Sequence, residues 1–458
     1  MPRGRGTVVC MSFESVPTTG QRGEDVRGSR DDADVIVVGA GPAGSAAAHY
    51  CAAAGLEVLL LEKSAFPRDK ICGDGLTPRA VAELVRMGVT AREDDGWIRN
   101  HGLRVVAGGR SWELAWPDLA SYPSYGMARA RHSFDRTLAE HAQRNGAKLL
   151  ERTTVTGPVL DDRTGRVVGV TARPVDDRGR RAGDDVTYRA PVVVAADGVS
   201  SRFALALGLA KREDRPMGVA VRSYYRTPRH DDAWMESHLE LWDGAPGRSN
   251  LLPGYGWIFA LGDGTANVGL GSVSSTPARQ SASGVDHKDV FARWLRNAPP
   301  AWELAEENRL APVRGAALPM GFNRTPLYTK GVLLVGDSGG MVSPFNGEGI
   351  AYAMQAGRTA ADVVAQALAR GTGAGRERAL QTYARTMHRE LGGYYTLGRY
   401  FVKLIEHPEI MRICTRYGLP RPVVMRFVLK LLSDCYEPRG GDWVDRVIAG
   451  LTKVVPSS

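Results

Sequence analysis

The sequence lacks the features that mark secreted, disulfide-stabilised or membrane-spanning proteins. No apolar run in its 458 residues approaches the roughly 18 residues that a membrane span needs. The first 33 residues contain no apolar core of a secretory signal. The five cysteines form neither a CxxC motif nor a paired spacing, and their odd number fits a reducing compartment. These absences predict a cytoplasmic protein that has no metal site.

Net charge is missing at the start of the chain and concentrated at its end. Residues 1–33 carry five Arg against five Asp and Glu, and their Gly, Arg, Ser and Asp content predicts disorder. Residues 371–458 carry 14 Lys and Arg against 8 Asp and Glu, which accounts for six of the formal net charge of +9. A basic end favours an acidic partner. Because the sequence contains no recognised nucleic-acid-binding module, we expect an anionic membrane surface and no nucleic acid.

A dinucleotide-binding pattern begins at residue 34. Residues 35–38 form a β-branched run that is typical of a buried parallel strand. Gly39, Gly41 and Gly44 follow at the GxGxxG spacing, which allows a tight turn, close approach of a pyrophosphate, and packing of helix on strand. A predicted helix and a second strand follow, and Glu62 comes 18 residues after Gly44, where a carboxylate accepts ribose hydroxyls. The alternative is a glycine turn with only a structural role.

Two further pieces follow apolar strands far along the chain. Asp197 and Gly198 come after the first of these strands, and Gly336 and Asp337 come after the second. Ligands of doubly wound sheets bind at such strand ends, where an Asp can accept hydrogen bonds from the ribityl hydroxyls of a flavin. A glycine-rich helix start at Gly347 would offer amides to the flavin's pyrimidine edge. Each piece alone would be an ordinary turn, but the three in this order favour FAD over NAD.

Five segments together make the chain resemble the FAD-dependent geranylgeranyl reductase family, within the fold group of the aromatic hydroxylases. The motifs GAGPAG, ADG and GD, in the first, third and fifth segments, occur throughout the fold group. The motifs CGDGLTP and GYGWIF, in the second and fourth segments, are typical of isoprenoid reductases, with the closest match among bacterial menaquinone reductases. The segments are GAGPAG (residues 39–44), FPRDKICGDGLTP (66–78), AADGVSSR (195–202), PGYGWIF (253–259) and GDSGGMVSPFNGEGI (336–350).

The resemblance implies an α/β fold with three parts. These are a Rossmann-like FAD-binding domain, an antiparallel β-sheet domain for the substrate, and a helical C-terminal segment. Alternation of apolar and polar residues independently predicts an antiparallel sheet over residues 215–275. The predicted boundaries are 1–33 for the disordered tail; 34–98, 127–210 and 322–370 for the FAD-binding domain; 99–126 and 211–321 for the substrate domain; and 371–458 for the helical segment.

The resemblance also implies site residues. Tyr255 and Trp257 would line the substrate cavity, and Cys72 would lie near the flavin ring; these three are the predicted catalytic residues. Ordinary core packing is the alternative for all three, and Arg68 and Lys70 either contact a phosphate or are solvated. The predicted cofactor-binding residues are Gly39, Gly41, Ala43, Gly44, Glu62, Lys63, Cys72, Gly73, Asp74, Arg131, Asp197, Gly198, Gly336, Asp337, Gly347, Gly349 and Ile350.

The predicted function is an FAD-dependent reductase that saturates a double bond in a prenyl chain. The substrate would be one isoprene unit of the menaquinone tail or a geranylgeranyl group. Since the chain has a single complete GxGxxG motif, NAD(P)H or another external donor, such as an electron-donor protein, would supply the electrons. The alternatives are a flavin-dependent monooxygenase of an aromatic or polyketide substrate and a non-catalytic prenyl-lipid-binding protein.

The basic C-terminal segment predicts where the protein acts. Aromatic and aliphatic residues alternate there with cations, a pattern that lets a helix lie in a bilayer interface. Packing over the substrate domain with a basic outer face explains the same pattern. We predict peripheral association with the inner face of the cell membrane through seven cations: Arg399, Lys403, Arg412, Arg416, Arg421, Arg426 and Lys430.

Overall fold

Our computed structural model describes residues 32–71 and 73–456 of the chain. These residues contain four β-sheets and eleven α-helices. The mixed α/β class that the sequence predicts is confirmed. Cys72 and most of the predicted tail lie outside the described residues. Asp32 and Ala33 belong to the fold, because Asp32 accepts the amide of Arg189 at 2.8 Å and Ala33 is buried. The predicted end of the tail at residue 33 is therefore wrong by two residues.

The central sheet has six strands in the order β18-β19-β12-β1-β2-β8. β1 lies in the middle, parallel to β2 and β12, and every residue of these three strands is buried. Burial on both faces explains their unbroken apolar sequences. Because parallel strands end at one edge of the sheet, the predicted turns after them are neighbours. The strands are β1 (Val35–Val38), β2 (Val58–Leu61), β8 (Lys148–Leu150), β12 (Val192–Ala195), β18 (Tyr328–Thr329) and β19 (Val332–Leu334).

A seven-stranded sheet has the order β17-β13-β16-β15-β14-β5-β6. It is antiparallel, as the alternation in the sequence predicts, except that β14 runs parallel to β5. The two strands are far apart in the chain, so no tight turn imposes an antiparallel pair. The strands are β5 (Gly102–Ala107), β6 (Arg110–Ala115), β13 (Met217–Arg226), β14 (Trp234–His238), β15 (Gly254–Ala260), β16 (Thr265–Ser274) and β17 (Arg314–Pro319).

Two three-stranded sheets complete the β-structure. After β8 the chain leaves the central sheet and turns at Arg152, which has a φ of 50°. The predicted domain boundaries at residues 98 and 126 fall in or beside paired strands of the sheet that has the shorter strands. That sheet therefore joins the two predicted domains. The strands are β3 (Gly75–Leu76), β4 (Ile98–Asn100) and β7 (Gly126–Ala128) in one sheet, and β9 (Thr153–Leu160), β10 (Val167–Pro174) and β11 (Val186–Arg189) in the other.

Helices cover the central sheet and form the C-terminal segment. Proline begins several of them, where its fixed φ fits and its missing N–H costs nothing. No helix of the described residues is long and apolar enough to cross a membrane. The helices are α1 (Pro42–Ala53), α2 (Pro78–Met87), α3 (Arg131–Arg144), α4 (Arg202–Ala206), α5 (Pro277–Ala282), α6 (His287–Leu295), α7 (Ile350–Leu368), α8 (Ala374–Ile405), α9 (Pro408–Ile413), α10 (Pro422–Leu432) and α11 (Trp443–Val454).

Candidate active site

A cavity of about 1370 Å³ runs from the carboxyl ends of the central parallel strands to the face of the seven-stranded sheet. It exceeds the roughly 300–1000 Å³ of an ordinary small-molecule site, so it has room for a dinucleotide and a second molecule. We call its two parts the strand-end limb and the sheet limb. The strand-end limb lies at the turns after β1, β2, β12 and β19, and the sheet limb lies between β13–β16 and α10.

Most of the predicted site residues line this one cavity, although they come from five distant parts of the chain. Gly44, Asp74 and Gly336 do not line it, and Cys72 lies outside the described residues. The predicted residues that line the cavity are Gly39, Gly41, Ala43, Glu62, Lys63, Gly73, Arg131, Asp197, Gly198, Tyr255, Trp257, Asp337, Gly347, Gly349 and Ile350.

The glycine turn has the geometry of a phosphate site. A Cβ on Gly39 would lie 2.6 Å from the Ala196 carbonyl oxygen, and one on Gly44 would lie 1.8 Å from the carbonyl oxygen of Gly39. Gly44 therefore lies against the backbone of the turn, on the side away from the cavity. A Cβ on Gly41 would meet only the Arg68 guanidinium, at 3.8 Å. Gly41 also precedes α1 and offers no side-chain cap, so the helix's first amides are free to receive an anion.

The carboxylate of Glu62 is held in place at the end of β2. Its Oε2 accepts the amide of Ala40 at 2.9 Å, its Oε1 accepts the amide of Ser64 at 3.1 Å, and Arg68 lies 3.3 Å from Oε2. The side chain is buried. Backbone donors on both oxygens fix the orientation of a carboxylate, which is what a ribose-binding acid requires.

A buried acid that the sequence analysis missed connects two arginines of the cavity wall. Asp135 accepts from Arg131 Nε at 2.6 Å and from Arg68 Nη1 at 2.9 Å. The spacing of Arg131 and Asp135 along α3 was the available signal, since residues four apart share a helix face. Both arginines line the cavity, and the paired Arg68 guanidinium lies 3.8 Å from where a Cβ on Gly41 would be.

The two predicted ribityl-binding acids lie at the ends of β12 and β19. Asp197 accepts from the Ser201 hydroxyl at 3.0 Å and from the Phe203 amide at 3.1 Å, and burial raises the pKa of its carboxyl. Asp337 lines the same limb, 3.4 Å from where a Cβ on Gly349 would lie. Gly336, in contrast, packs against α1, because its Cβ would lie 2.9 Å from the Ala43 methyl.

Three aromatic rings of β15 form one wall of the sheet limb. Tyr255, Trp257 and Phe259 point to the same side of the strand, as its alternation requires, with successive ring centroids 6.0 and 6.3 Å apart. The Tyr255 hydroxyl donates to the Asn346 carbonyl at 2.7 Å, and the Trp257 indole donates to Asn267 Oδ1 at 2.8 Å. The rings therefore present a fixed apolar surface to the cavity.

Asp74 supports this wall from behind. Its Oδ2 accepts from the Tyr224 hydroxyl at 2.7 Å and from Asn267 Nδ2 at 2.8 Å, so it orients the amide that holds Trp257. Burial raises the pKa of its carboxyl to about 6. A cofactor-binding role would require Asp74 to lie on the cavity surface. Asp74 lies in the interior instead, where protein donors occupy its carboxylate. Asn267, a polar residue within an apolar strand, was the overlooked signal.

α10 forms another wall of the sheet limb, and its Leu429 packs in one apolar cluster with Trp257 and Phe259. Met425, Val428, Leu429 and Leu432 line the cavity from this helix. Lys430 is 2% exposed and donates to Asp442 at 3.0 Å and to Asp445 at 2.7 Å at the start of α11. Of the seven cations that the sequence offers for membrane association, Lys430 is therefore used to join two helices.

The geometry agrees with the known proteins that the chain resembles. Residues 32–390 match the family described as FAD binding domain. Over 92% of its length the chain is 36% identical to a menaquinone reductase of Mycobacterium tuberculosis, of which it covers 95%. The chain belongs to the FAD-dependent geranylgeranyl and menaquinone reductase family.

Two further similarities extend across the same family and fold. A digeranylgeranylglycerophospholipid reductase of Methanocella arvoryzae is 32% identical over 75% of this chain and 80% of that protein. A solved structure of a geranylgeranyl bacteriochlorophyll reductase-like protein from Thermoplasma acidophilum has a TM-score of 0.65 and 23% identity, covering 87% of this chain and 99% of that one. The second similarity shows that the fold is shared.

FAD fits the strand-end limb of this reductase. The open space at Gly41, the uncapped amides of α1 and the nearby Arg68 suit a pyrophosphate. Glu62 and Asp337 present carboxylates at the ends of β2 and β19, where hydroxyl groups of a dinucleotide need acceptors. Nothing in the described residues fills this space, so the cofactor and the prenyl chain can occupy the cavity together.

Proposed function

We propose that this protein is an FAD-dependent reductase that adds a hydride and a proton across one isolated double bond of a prenyl chain, with the menaquinone tail as its substrate. The observation that carries the proposal is the sheet limb. Its walls are the aromatic rings of β15 and the apolar side of α10, and it opens directly into the strand-end limb. An isoprene chain needs such an apolar and aromatic channel. The 36% identity to a menaquinone reductase favours the quinone over other prenyl lipids.

The bound FAD supplies hydride chemistry, and this chain's residues position the substrate and keep water away from it. Tyr255 and Trp257 are anchored through their polar atoms, so their rings can contact a double bond without moving. Apolar side chains of α10 also line the cavity, which makes this part of it a poor site for water. Since an isolated alkene is a poor hydride acceptor, a proton must arrive at the second carbon as the hydride arrives at the first.

The electrons for the flavin come from outside the chain in this proposal. One GxGxxG motif is present and its turn belongs to the FAD site. NAD(P)H that binds transiently, or a separate electron-donor protein, would reduce the flavin. Stopped-flow mixing of the oxidised holoenzyme with NADH or NADPH tests the first route, because bleaching of the flavin absorbance would follow at once.

A reductase assay separates the proposal from its two alternatives. Chemically reduced holoenzyme would be mixed with menaquinone in detergent without oxygen, and the product analysed by mass spectrometry. We expect a quinone heavier by two hydrogen atoms. A product that contains added oxygen, formed only in air, would support a monooxygenase, and unchanged quinone that co-purifies with the protein would support a prenyl-binding role. A digeranylgeranyl glycerophospholipid in a parallel reaction tests the substrate class.

We further propose that the C-terminal helices dock on an anionic membrane surface. Ten of the fifteen exposed large apolar side chains of the described residues lie here, from Tyr400 to Val454. Lys403, Arg412, Arg416 and Arg421 are exposed among them. Apolar side chains interleaved with cations suit the interface of an anionic bilayer, where each cation contributes about 1 kcal/mol. The surface also adjoins α10, so a lipid tail could pass from the bilayer to the sheet limb.

Vesicle binding tests the docking surface. Binding of the holoenzyme should rise with the anionic lipid content and fall with salt. Changing Arg412, Arg416 and Arg421 together to Gln should release the protein without loss of FAD. The matched control changes three exposed arginines elsewhere, Arg110, Arg144 and Arg163, to Gln and should bind as the wild type does. Equal loss in both variants would mean that net charge alone, and not this surface, determines binding.

A further inference from the structure

Two sequence segments that are 271 residues apart meet at one hydrogen bond in the cavity wall. The Thr77 hydroxyl, from the GLTP sequence at the start of α2, lies 2.7 Å from Oε1 of Glu348, from the GEG sequence before α7. Both residues line the cavity. Neither is needed for the glycine turn, the ribose site or the aromatic wall. The contact places a hydroxyl beside a half-buried carboxyl group in the cavity wall.

The second oxygen of Glu348 favours the protonated carboxyl. Oε2 is buried and has no hydrogen-bond partner among the described residues. A carboxylate oxygen that is removed from water and lacks a donor is strongly disfavoured, whereas the neutral acid loses much less. The Thr77 hydroxyl can donate to the carboxylate or accept from the acid, so it suits both states.

Opposing effects act on the Glu348 carboxyl: burial and the Asp434 charge raise its pKa, whereas the Thr77 and Asn346 side chains and Arg79 lower it. Arg79 would favour the carboxylate, but its Nη1 lies 3.0 Å from Asp434 Oδ2, and Asp434 opposes ionisation of Glu348. Burial is the largest effect and raises the pKa of Glu348 to about 7. The titratable and charged groups that face it are Arg79 on α2, Tyr352 on α7, Tyr394 and Tyr395 on α8, and Asp434 and Cys435 after α10.

We propose that Glu348 stores the proton that prenyl saturation consumes, and that the Thr77 hydroxyl passes it into the cavity. This inference rests on the proposed reductase function, which needs an acid at the second carbon of the double bond. Thr77 is the group that would face the substrate, and Glu348 acts through it. The arrangement holds a proton in the cavity wall, one hydrogen bond from the Thr77 hydroxyl.

The transfer balances in atoms and electrons. The hydride that the reductase activity supplies carries two electrons to one alkene carbon. The π electron pair forms a C–H bond at the other carbon with the Thr77 hydroxyl proton, as that O–H bond breaks. The Glu348 O–H bond breaks in turn and its proton restores the Thr77 hydroxyl. Glu348 remains as a carboxylate and regains a proton from water before the next turnover.

Two substitutions test the relay. Glu348→Gln keeps the shape but removes the transferable proton, and Thr77→Val removes the hydroxyl. Each should slow prenyl saturation by about a hundredfold, the lower range for a lost general acid, while FAD binding and the rate of flavin reduction stay unchanged. Thr77→Ser keeps a hydroxyl and should retain most of the wild-type rate. Saturation at the wild-type rate by Glu348→Gln would overturn the proposal.

A purely structural role of Thr77 predicts a different pattern. Its side chain also caps α2, accepting the Ala80 amide at 3.5 Å, so Thr77→Val should lower the melting temperature somewhat. Thermal melts of all variants with FAD bound measure that loss. The wild-type saturation rate should fall above about pH 7, where Glu348 loses its proton. Glu348→Gln should flatten that fall, and an unchanged pH profile in this variant would contradict the proton store.

Infrared spectroscopy tests the stored proton without any turnover. The holoenzyme should show a carbonyl stretch of a protonated carboxyl that shifts in D₂O, disappears with a midpoint near pH 7, and is absent in Glu348→Gln. Asp74→Asn serves as the control: it should remove only the separate band of Asp74, whose pKa of about 6 makes that band titrate at lower pH. A missing Glu348 band would overturn the inference. Failure of the wild type to saturate any prenyl lipid, with the band present, would instead overturn the proposed function.

Discussion

The strand-end limb and the sheet limb of the cavity are stabilised in different ways. In the strand-end limb the backbone makes the site: turns follow parallel strands, and buried carboxylates such as Glu62 are held by main-chain amides. In the sheet limb the surface is made of side chains, and Tyr255 and Trp257 are each anchored through one polar atom. A backbone site tolerates little change, whereas a side-chain wall can be altered one residue at a time. The difference predicts that cofactor binding fails abruptly and substrate selection changes gradually.

The largest effect is expected in the glycine turn. Gly44→Ala would place a Cβ 1.8 Å from the Gly39 carbonyl oxygen, and backbone on both sides has no room to shift. We expect loss of FAD binding and a fall of about 3 kcal/mol in the free energy of unfolding, the upper range for overpacking. Flavin absorbance and chemical denaturation measure both. The control is Gly157→Ala, since a Cβ on Gly157 meets nothing within 4 Å. FAD retained by Gly44→Ala would show that the turn is more adaptable than its geometry indicates.

Asp74, behind the sheet limb, gives the next effect. Burial raises its pKa from 3.8 to about 6, so the folded state holds its proton more tightly than the unfolded chain does. This contribution to the free energy of unfolding is full below pH 3.8 and is lost as the pH rises through 6, by about 3 kcal/mol in total. Asp74→Asn should lack this part of the pH dependence. Urea denaturation of both proteins between pH 3.8 and 6 measures the free energy of unfolding. A constant difference between the two proteins across that range would contradict the prediction.

Trp257 distinguishes the two limbs directly. Trp257→Ala removes part of the aromatic wall without touching the turns, so prenyl saturation should fall by at least about tenfold, or 1.4 kcal/mol of transition-state stabilisation. FAD affinity and the rate of flavin reduction should not change. Trp257→Phe keeps an apolar ring and should lose less. Equal loss of FAD binding and of saturation would show that Trp257 supports the whole cavity instead of the substrate alone.

The smallest effect is expected on α10. Leu429→Asn places a polar side chain on the cavity wall and should raise the KM for a detergent-dispersed prenyl substrate by about fivefold, close to 1 kcal/mol of lost apolar contact. The kcat should change less than it does in Trp257→Ala, because the aromatic rings that Leu429 packs beside are all retained. Val424→Asn, on the exposed side of the same helix, is the matched control. A similar KM for both variants would mean that α10 does not contact the substrate.

The proton relay was out of reach of sequence reasoning. Thr77 and Glu348 each stand in segments that the sequence analysis singled out, yet their residue types and spacing give no sign that they touch. The same holds for Asn267 and Asp74, which support Trp257 from two other strands or turns. Hydrogen bonds between distant segments depend on how sheets and helices pack. Local periodicity carries no information about that packing.

The sequence by itself predicted which residues meet at the cofactor end of the cavity. Gly39, Gly41, Glu62, Asp197 and Asp337 all line it, and each lies in a short local pattern: an apolar strand, a turn and a polar residue at the strand's end. The strands are buried on both faces, so their sequences are unmistakable.

Only the tertiary structure decided the rest. It places Asp74 in the interior, pairs Lys430 with the start of α11, and makes α10 a wall of the cavity. An amphipathic basic helix can place its apolar side against lipid or against the protein with the same sequence pattern. The choice for α10 depends on the buried pairs that Lys430 makes with the start of α11, and those pairs exist only in the folded chain.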